Sequence, residues 1–119
     1  MKNNRLKDKD YGKSASHYDH LIKHHIELFR PLSIVDFGAG GGKYGKLTRH
    51  VLSDEVKVTA IEGFQNTAKM LSSSGYYDEV HNALIQEWVL ENSQTFDMAI
   101  FGDVLEHLKP KEIHKINYR

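Results

Sequence analysis

The residues best able to do chemistry lie in one short stretch, where an acidic side chain precedes a run of glycines. Asp36 stands near the end of an apolar segment, and three glycines follow it at alternate positions: Gly38, Gly40 and Gly42. Glycine lets the backbone approach a ligand closely and tolerates positive φ angles. A carboxylate there can accept hydrogen bonds from the loop or from an ammonium group. The stretch therefore predicts a small-molecule site.

A second carboxylate, Glu62, ends another apolar segment further along the chain. In nucleotide-binding sheets, an acidic residue at the end of the second strand accepts hydrogen bonds from ribose hydroxyls. Glu62 therefore supports an adenosine-type ligand but does not by itself choose between cofactors.

Hydrophobic periodicity predicts the elements that would position these residues. Strands are expected at residues 33–37, 56–61, 79–85 and 98–101, and helices at 42–52 and 65–73 with a helical turn around 88–90. An earlier helix starts near residue 14 and stops at Pro31, with one buried stripe: Tyr18, Leu21, Ile22, His25, Ile26 and Phe29. Pro110 suits the first turn of a last helix. Alternating strands and helices imply a parallel sheet with right-handed crossovers.

Two phosphate-binding patterns compete for the glycine-rich loop. Gly40, Gly42 and Gly45 satisfy the dinucleotide fingerprint G-x-G-x-x-G, which is easily matched by chance in so glycine-rich a segment. The phosphate loop G-x-x-x-x-G-K-[S/T] fits less well, because Leu47 follows Lys46 where the metal-binding hydroxyl belongs. We reject the phosphate loop and keep the dinucleotide-binding fragment as an alternative.

A third pattern accounts for more of the chain. Asp36-x-Gly38-x-Gly40-x-Gly42 after a strand, Glu62 after the next strand and the segment 96–108 together resemble class I S-adenosylmethionine (SAM)-dependent methyltransferases. The resemblance covers residues 34–113. It implies an α/β, Rossmann-like parallel sheet of order 3-2-1-4 with flanking helices, lacking the last three strands of the family's order 3-2-1-4-5-7-6.

The resemblance also implies SAM as cofactor and a set of binding residues: Asp36, Gly38, Gly40, Gly42, Glu62, Leu84, Ile85, Gly102 and Asp103. Many family members hold the adenine amino group with an acidic residue after the third strand, whereas this chain has Leu84 and Ile85 there. We expect Ile85 to stack on the adenine, with Asn82 as the other candidate for a polar contact.

His107 is the candidate general base, needed only if the methyl acceptor must lose a proton. Asp103, Glu106 and His107 also have a metal-binding spacing, but too few ligands accompany them, and we predict no metal site.

Histidines 17, 20 and 24 are expected on a solvated helix face. Lys43 and Lys46 are expected as exposed helix residues.

Composition limits the remaining possibilities. A formal net charge of zero argues against a nucleic-acid binder, and no apolar run reaches the roughly 20 residues that cross a bilayer. The polar N-terminus predicts no signal peptide, and the absence of cysteine fits a cytoplasmic protein. We expect a polar arm at residues 1–13 and a partial, truncated SAM-binding domain at 14–119.

The sequence thus predicts methyl transfer to a small-molecule acceptor, with no nucleic-acid or membrane partner. A non-catalytic adenosine-ligand binding or dimerisation module is the alternative. The edge of the fourth strand, left unpaired in so short a sheet, is the expected place for a second copy or a partner chain.

Overall fold

Four short apolar segments form a parallel sheet in the computed structural model, which describes residues 19–102. The strands are β1 (Ser33–Phe37), β2 (Lys57–Glu62), β3 (Glu79–Asn82) and β4 (Met98–Ile100). Their order, β3-β2-β1-β4, confirms the predicted one. Helix α1 includes residues 19–29, and it is followed by α2 (Lys43–Leu52), α3 (Gln65–Ser74) and α4 (Ile85–Glu91). The predicted arm at 1–13 and the helix at Pro110 lie outside the described residues.

Helices cover both faces of the sheet. Successive side chains of β1 point in opposite directions, so each face carries apolar side chains that need covering. Ile34 packs in one hydrophobic cluster with residues of α1, α2 and α3, including Leu71. Val35 and Phe37 pack in a second cluster with Trp88 of α4. Strands buried on both faces are typical of parallel sheets. The second and third helices therefore cover one face, and the fourth covers the other.

This arrangement creates a switch point between β1 and β4. The chain runs outward from β1 to β2 and β3, then crosses the other face through α4 to return beside β1. Open parallel sheets bind ligands beyond the carboxyl ends of their strands at such a point. The glycine-rich loop after β1 lies at this location.

The third strand is shorter than predicted: it ends at Asn82, and the last backbone hydrogen bond to β2 runs from Ala83 N–H to the Glu62 carbonyl oxygen at 3.1 Å. The Asn82 side-chain amide donates to the carbonyl oxygens of Glu62 (2.9 Å) and Gly63 (3.2 Å). Residues 83–84 then leave the sheet, and α4 begins at Ile85. This early exit places Leu84 and Ile85 in a loop and a helix start, where the sequence predicted strand.

The first helix buries less than its apolar spacing predicted. Ile26 is fully buried and Ile22 is half-buried against the first cluster, but Leu21 is 47% exposed and Phe29 is 64% exposed. Phe29 stacks on His25, with ring centroids 5.7 Å apart. The prediction of one continuous buried stripe is therefore wrong for Leu21, His25 and Phe29. Within residues 19–102, no helix is long and apolar enough to cross a membrane.

Candidate functional site

A cleft of about 710 Å³ opens at the carboxyl ends of β1 and β2. Its walls come from the glycine loop (38–41), the end of β2 and the turn after it (61–64), and the β3–α4 connection (83–86), with Lys43, Tyr44, Thr67 and Gly102. Cavities of roughly 300–1,000 Å³ commonly hold cofactors. The cleft therefore borders the switch point, because Gly102 after β4 also lines it, and it is large enough for a nucleoside-sized ligand.

The glycine loop has the backbone that its sequence requires. Gly38, Gly40 and Gly42 all have positive φ, at 68°, 52° and 88°. Gly38 and Gly40 line the cleft. Gly42 is buried and precedes α2, and an added Cβ there would lie 3.2 Å from Cδ2 of Leu71. The first two glycines thus shape the cleft, and the third lets α2 start against α3.

Glu62 lines the cleft with its carboxylate held by two backbone groups. Gly40 N–H donates to Oε1 at 2.9 Å, and Phe64 N–H donates to Oε2 at 3.1 Å. The residue is only 4% exposed. A carboxylate oxygen accepts more than one hydrogen bond, so each oxygen keeps a lone pair for a ligand hydroxyl. The structure therefore presents a preoriented acceptor pair, and its role toward ribose stays a prediction.

Asp36 is buried and is not among the residues that line the cleft. The Tyr77 hydroxyl donates to Oδ2 at 2.7 Å, and Oδ1 has no hydrogen-bond partner among residues 19–102. Burial raises the pKa of Asp36 to about 7; the hydrogen bond from Tyr77 lowers it, and the charge of Glu62 raises it. Direct contact of this carboxyl with a ligand ammonium stays a prediction. Its structural partner is Tyr77, which the sequence analysis did not single out.

The far wall of the cleft is apolar. Leu84 and Ile85 line it, and so does Phe64, which is 76% exposed; contact of Leu84 and Ile85 with a cofactor stays a prediction. The Asn82 side chain donates to the Glu62 carbonyl oxygen at the end of β2, and Asn82 does not line the cleft. The position of Phe64 directly after Glu62 and Gly63 was the signal that could have identified it, because the turn after β2 must border the same cleft.

Lys43 is not the simply exposed helix residue that was expected. It lines the cleft, and its Nζ lies 3.1 Å from the Asp19 carboxylate of α1 and 5.0 Å from the centre of the Tyr44 ring. Its side chain is 24% exposed. This positive charge at the start of α2 could attract a ligand carboxylate. Lys46, one turn along, is exposed as predicted.

Of the last predicted site residues, the structure describes Gly102 but not those that follow it. Gly102 lines the cleft, and an added Cβ there would lie 3.0 Å from the Tyr44 ring. Asp103, Glu106 and His107 lie outside the described residues, as does His17. Across 19–102, no three His, Asp or Glu side chains are grouped closely enough to hold a metal ion.

Gly45→Ala is expected to destabilise the protein by about 2 kcal/mol or more, as overpacking of a tight core typically does. Helix propensity alone predicts the opposite sign, a gain of up to about 1 kcal/mol. The added Cβ would overlap Cζ of Tyr77, so the ring or the helix must move. Urea unfolding measures the difference. Gly41→Ala is the control, because a Cβ there meets nothing within 4 Å; equal stability of both variants would contradict the packing argument.

No protein-family model matches the sequence, and no curated protein sequence matches it. Solved structures do match. A SAM-dependent methyltransferase from Archaeoglobus fulgidus is 16% identical over 95% of this chain and 49% of its own, with a TM-score of 0.67. The O-methyltransferase TomG from Streptomyces achromogenes, solved with SAM, is 14% identical over 71% of this chain and 43% of its own, with a TM-score of 0.59.

The plantazolicin methyltransferase BamL, solved with a triazolic desmethylPZN analog and SAH, is 14% identical over 96% of this chain and 46% of its own, with a TM-score of 0.58. The chain thus spans less than half the length of each of these proteins. At such low identity the likeness concerns the fold. The chain has the fold of the SAM-dependent methyltransferases, with a Rossmann-like sheet in which the described strands have the predicted order.

Proposed function

We propose that this chain binds SAM in the cleft at the carboxyl ends of β1 and β2, as part of a protein that transfers the methyl group to a small-molecule acceptor. The observation that carries the proposal is the geometry of Glu62. Its carboxylate is fixed by the N–H groups of Gly40 and Phe64 and borders the cleft, so its free lone pairs can accept both ribose hydroxyls.

The apolar wall supports an adenine ring next to that ribose. Phe64 and Leu84 are large side chains that are 76% and 48% exposed, and both line the cleft beside Ile85. A flat aromatic base laid against them would remove apolar surface from water, at roughly 25 cal/mol per Å². Such a contact explains why two large hydrophobic residues flank the turn after Glu62.

Charge favours SAM over a dinucleotide. The Gly40 N–H, which a pyrophosphate would need, already donates to Glu62. Two carboxyl groups, Asp36 and Glu62, lie close together beside the loop, and the charge of Glu62 contributes to raising the pKa of Asp36. When ionised, such groups repel phosphate and attract cations. SAM carries a cationic sulfonium and an ammonium group, and its carboxylate would find the Lys43 ammonium at the cleft wall.

SAM, when bound, supplies a methyl group activated by the positive sulfur. The chain's own residues then have to align this group with the acceptor and exclude water. His107 is proposed as the base for an acceptor that must lose a proton, and Asp103 as a further cofactor contact. TomG, a protein of the same fold, is involved in tomaymycin synthesis, which supports a small-molecule acceptor.

Isothermal titration calorimetry with SAM and with NAD tests the proposal. We expect SAM to bind at least about tenfold more tightly than NAD. A ligand that leaves one buried polar group without a hydrogen-bond partner loses about 1.4 kcal/mol or more of binding free energy. A preference for NAD, or no binding of either ligand, would contradict it. Incubation with methyl-labelled SAM and candidate acceptors then separates an active enzyme from a binding module that holds SAM without transferring the methyl group.

A further inference from the structure

One tyrosine connects the end of β1 with the first turn of α2. Tyr77 lies between α3 and β3 and is only 9% exposed. Its hydroxyl donates to Oδ2 of Asp36 at 2.7 Å and accepts from Gly45 N–H at 3.0 Å. A single oxygen atom therefore links the buried carboxyl group to the helix that follows the glycine loop.

The hydrogen bond to Gly45 has a specific structural task. The first N–H groups of a helix have no partner within the helix. Gly42 precedes α2 and has no side chain with which to cap it. The Tyr77 hydroxyl supplies the missing acceptor, and the absence of a side chain at Gly45 makes room for the ring. Tyr77 thus acts as a cap for α2 from a distant part of the chain.

Both neighbours of Tyr77 are held in place by Arg49. Its Nε donates to the Tyr76 carbonyl oxygen at 2.9 Å, and its Nη2 donates to Oδ2 of Asp78 at 2.8 Å. The same Asp78 oxygen accepts from Val58 N–H at 2.7 Å, which ties the segment to β2. Two anchored neighbours restrict the movement of the Tyr77 ring, so its hydroxyl can define the position of other groups.

We propose that Tyr77 is a positioning residue for the SAM site: it fixes the orientation of Asp36 and of the first turn of α2, and so the shape of the glycine loop between them. Tyr77 is not a lining residue of the cleft and acts through its two partners. The inference rests on the proposed function. Two titratable side chains influence the carboxyl of Asp36, namely Tyr77 from the α3–β3 connection and Glu62 at the end of β2.

Tyr77→Phe tests the inference, because it removes only the hydroxyl and keeps the ring beside Gly45. In the unliganded protein, the carbon-13 signal of the Asp36 carboxyl should titrate at a higher pH than in the wild type, since the hydrogen bond that lowers its pKa is lost. Tyr76→Phe is the matched control, because the hydrogen bonds described for Asp36 and Gly45 do not include the Tyr76 hydroxyl. An unchanged titration in Tyr77→Phe would overturn the inference.

The second measurement is SAM binding by calorimetry between pH 5 and pH 9. Tyr77→Phe should raise the Kd for SAM about tenfold at neutral pH, an effect of the size of one lost hydrogen bond, because a smaller fraction of Asp36 is then ionised and the loop loses an anchor. The midpoint of the pH dependence should move upward. A purely structural role would lower the melting temperature and leave that midpoint in place. In an Asp36→Asn background, where this group cannot ionise, the same substitution should raise the Kd for SAM by a smaller factor than in the wild type, because only the effect on the first turn of α2 remains. Full additivity of the two effects would overturn the coupling.

The two proposals can fail separately. If the wild type binds SAM and Tyr77→Phe binds it equally well with the same pH dependence, the role of Tyr77 is overturned and the proposed function stands. If the wild type binds no SAM, the proposed function fails and the binding role of Tyr77 fails with it. The carboxyl titration then still decides whether Tyr77 controls Asp36.

Discussion

Replacing Glu62 by alanine is expected to raise the Kd for SAM about 100-fold, which corresponds to about 3 kcal/mol. A hydrogen bond to a charged group contributes roughly 1.5–3 kcal/mol, and the carboxylate can accept one from each ribose hydroxyl. The substitution also removes the acceptor of Gly40 N–H (2.9 Å) and Phe64 N–H (3.1 Å), so the loop and the apolar wall lose a shared anchor. Calorimetric titration of the folded variant with SAM measures the effect.

Two further variants locate the origin of that loss. Glu91→Ala removes an exposed glutamate at the end of α4, away from the cleft lining, and should bind SAM as the wild type does. Glu62→Gln keeps one acceptor oxygen, so its Kd for SAM should lie between those of Glu62→Ala and the wild type. If Glu62→Ala bound SAM within threefold of the wild type, the ribose would have to be held elsewhere and the proposed orientation of the ligand would be wrong.

The fold was predictable because its signals are local. β1 covers the predicted residues 33–37, since an apolar run followed by glycines with positive φ can hardly continue as a strand. Helix α3 ends where Gly75 takes a left-handed conformation, at φ 86°. The strand order followed from the family resemblance, and the structure has the same order.

The internal contacts of the site were not predictable, because they join residues far apart in sequence. Tyr77 and Asp36 are 41 positions apart, and nothing near Tyr77 marks it as the partner of a buried carboxyl group. The sequence predicts an exposed helix residue at Lys43, because helix periodicity does not show that the Asp19 carboxylate of α1 lies 3.1 Å from the Lys43 ammonium. The exposed Phe29 likewise shows that apolar spacing indicates a helix but not how much of its stripe another element covers.

Asp36 is expected to make the stability of the unliganded protein fall as the pH rises. Its pKa is about 7 in the folded protein, mainly because of burial, against an ordinary value of 3.8. Between these values the folded state keeps a proton that the unfolded chain has released, so folding becomes less favourable with each step in pH. The loss begins near pH 4 and is complete above about pH 7, where it amounts to about 4 kcal/mol.

Asp36→Asn should remove this dependence, because an amide cannot ionise but still offers an oxygen to the Tyr77 hydroxyl at the same position. Urea unfolding between pH 4 and pH 8 should therefore show the variant gaining about 4 kcal/mol relative to the wild type over that range. Asp54→Asn, at an exposed position, is the control. Parallel stability curves for wild type and Asp36→Asn would show that Asp36 does not hold its proton in the folded state.

A carboxyl group that lowers stability at neutral pH is expected where binding needs its negative charge. The gain in stability should therefore be accompanied by weaker SAM binding.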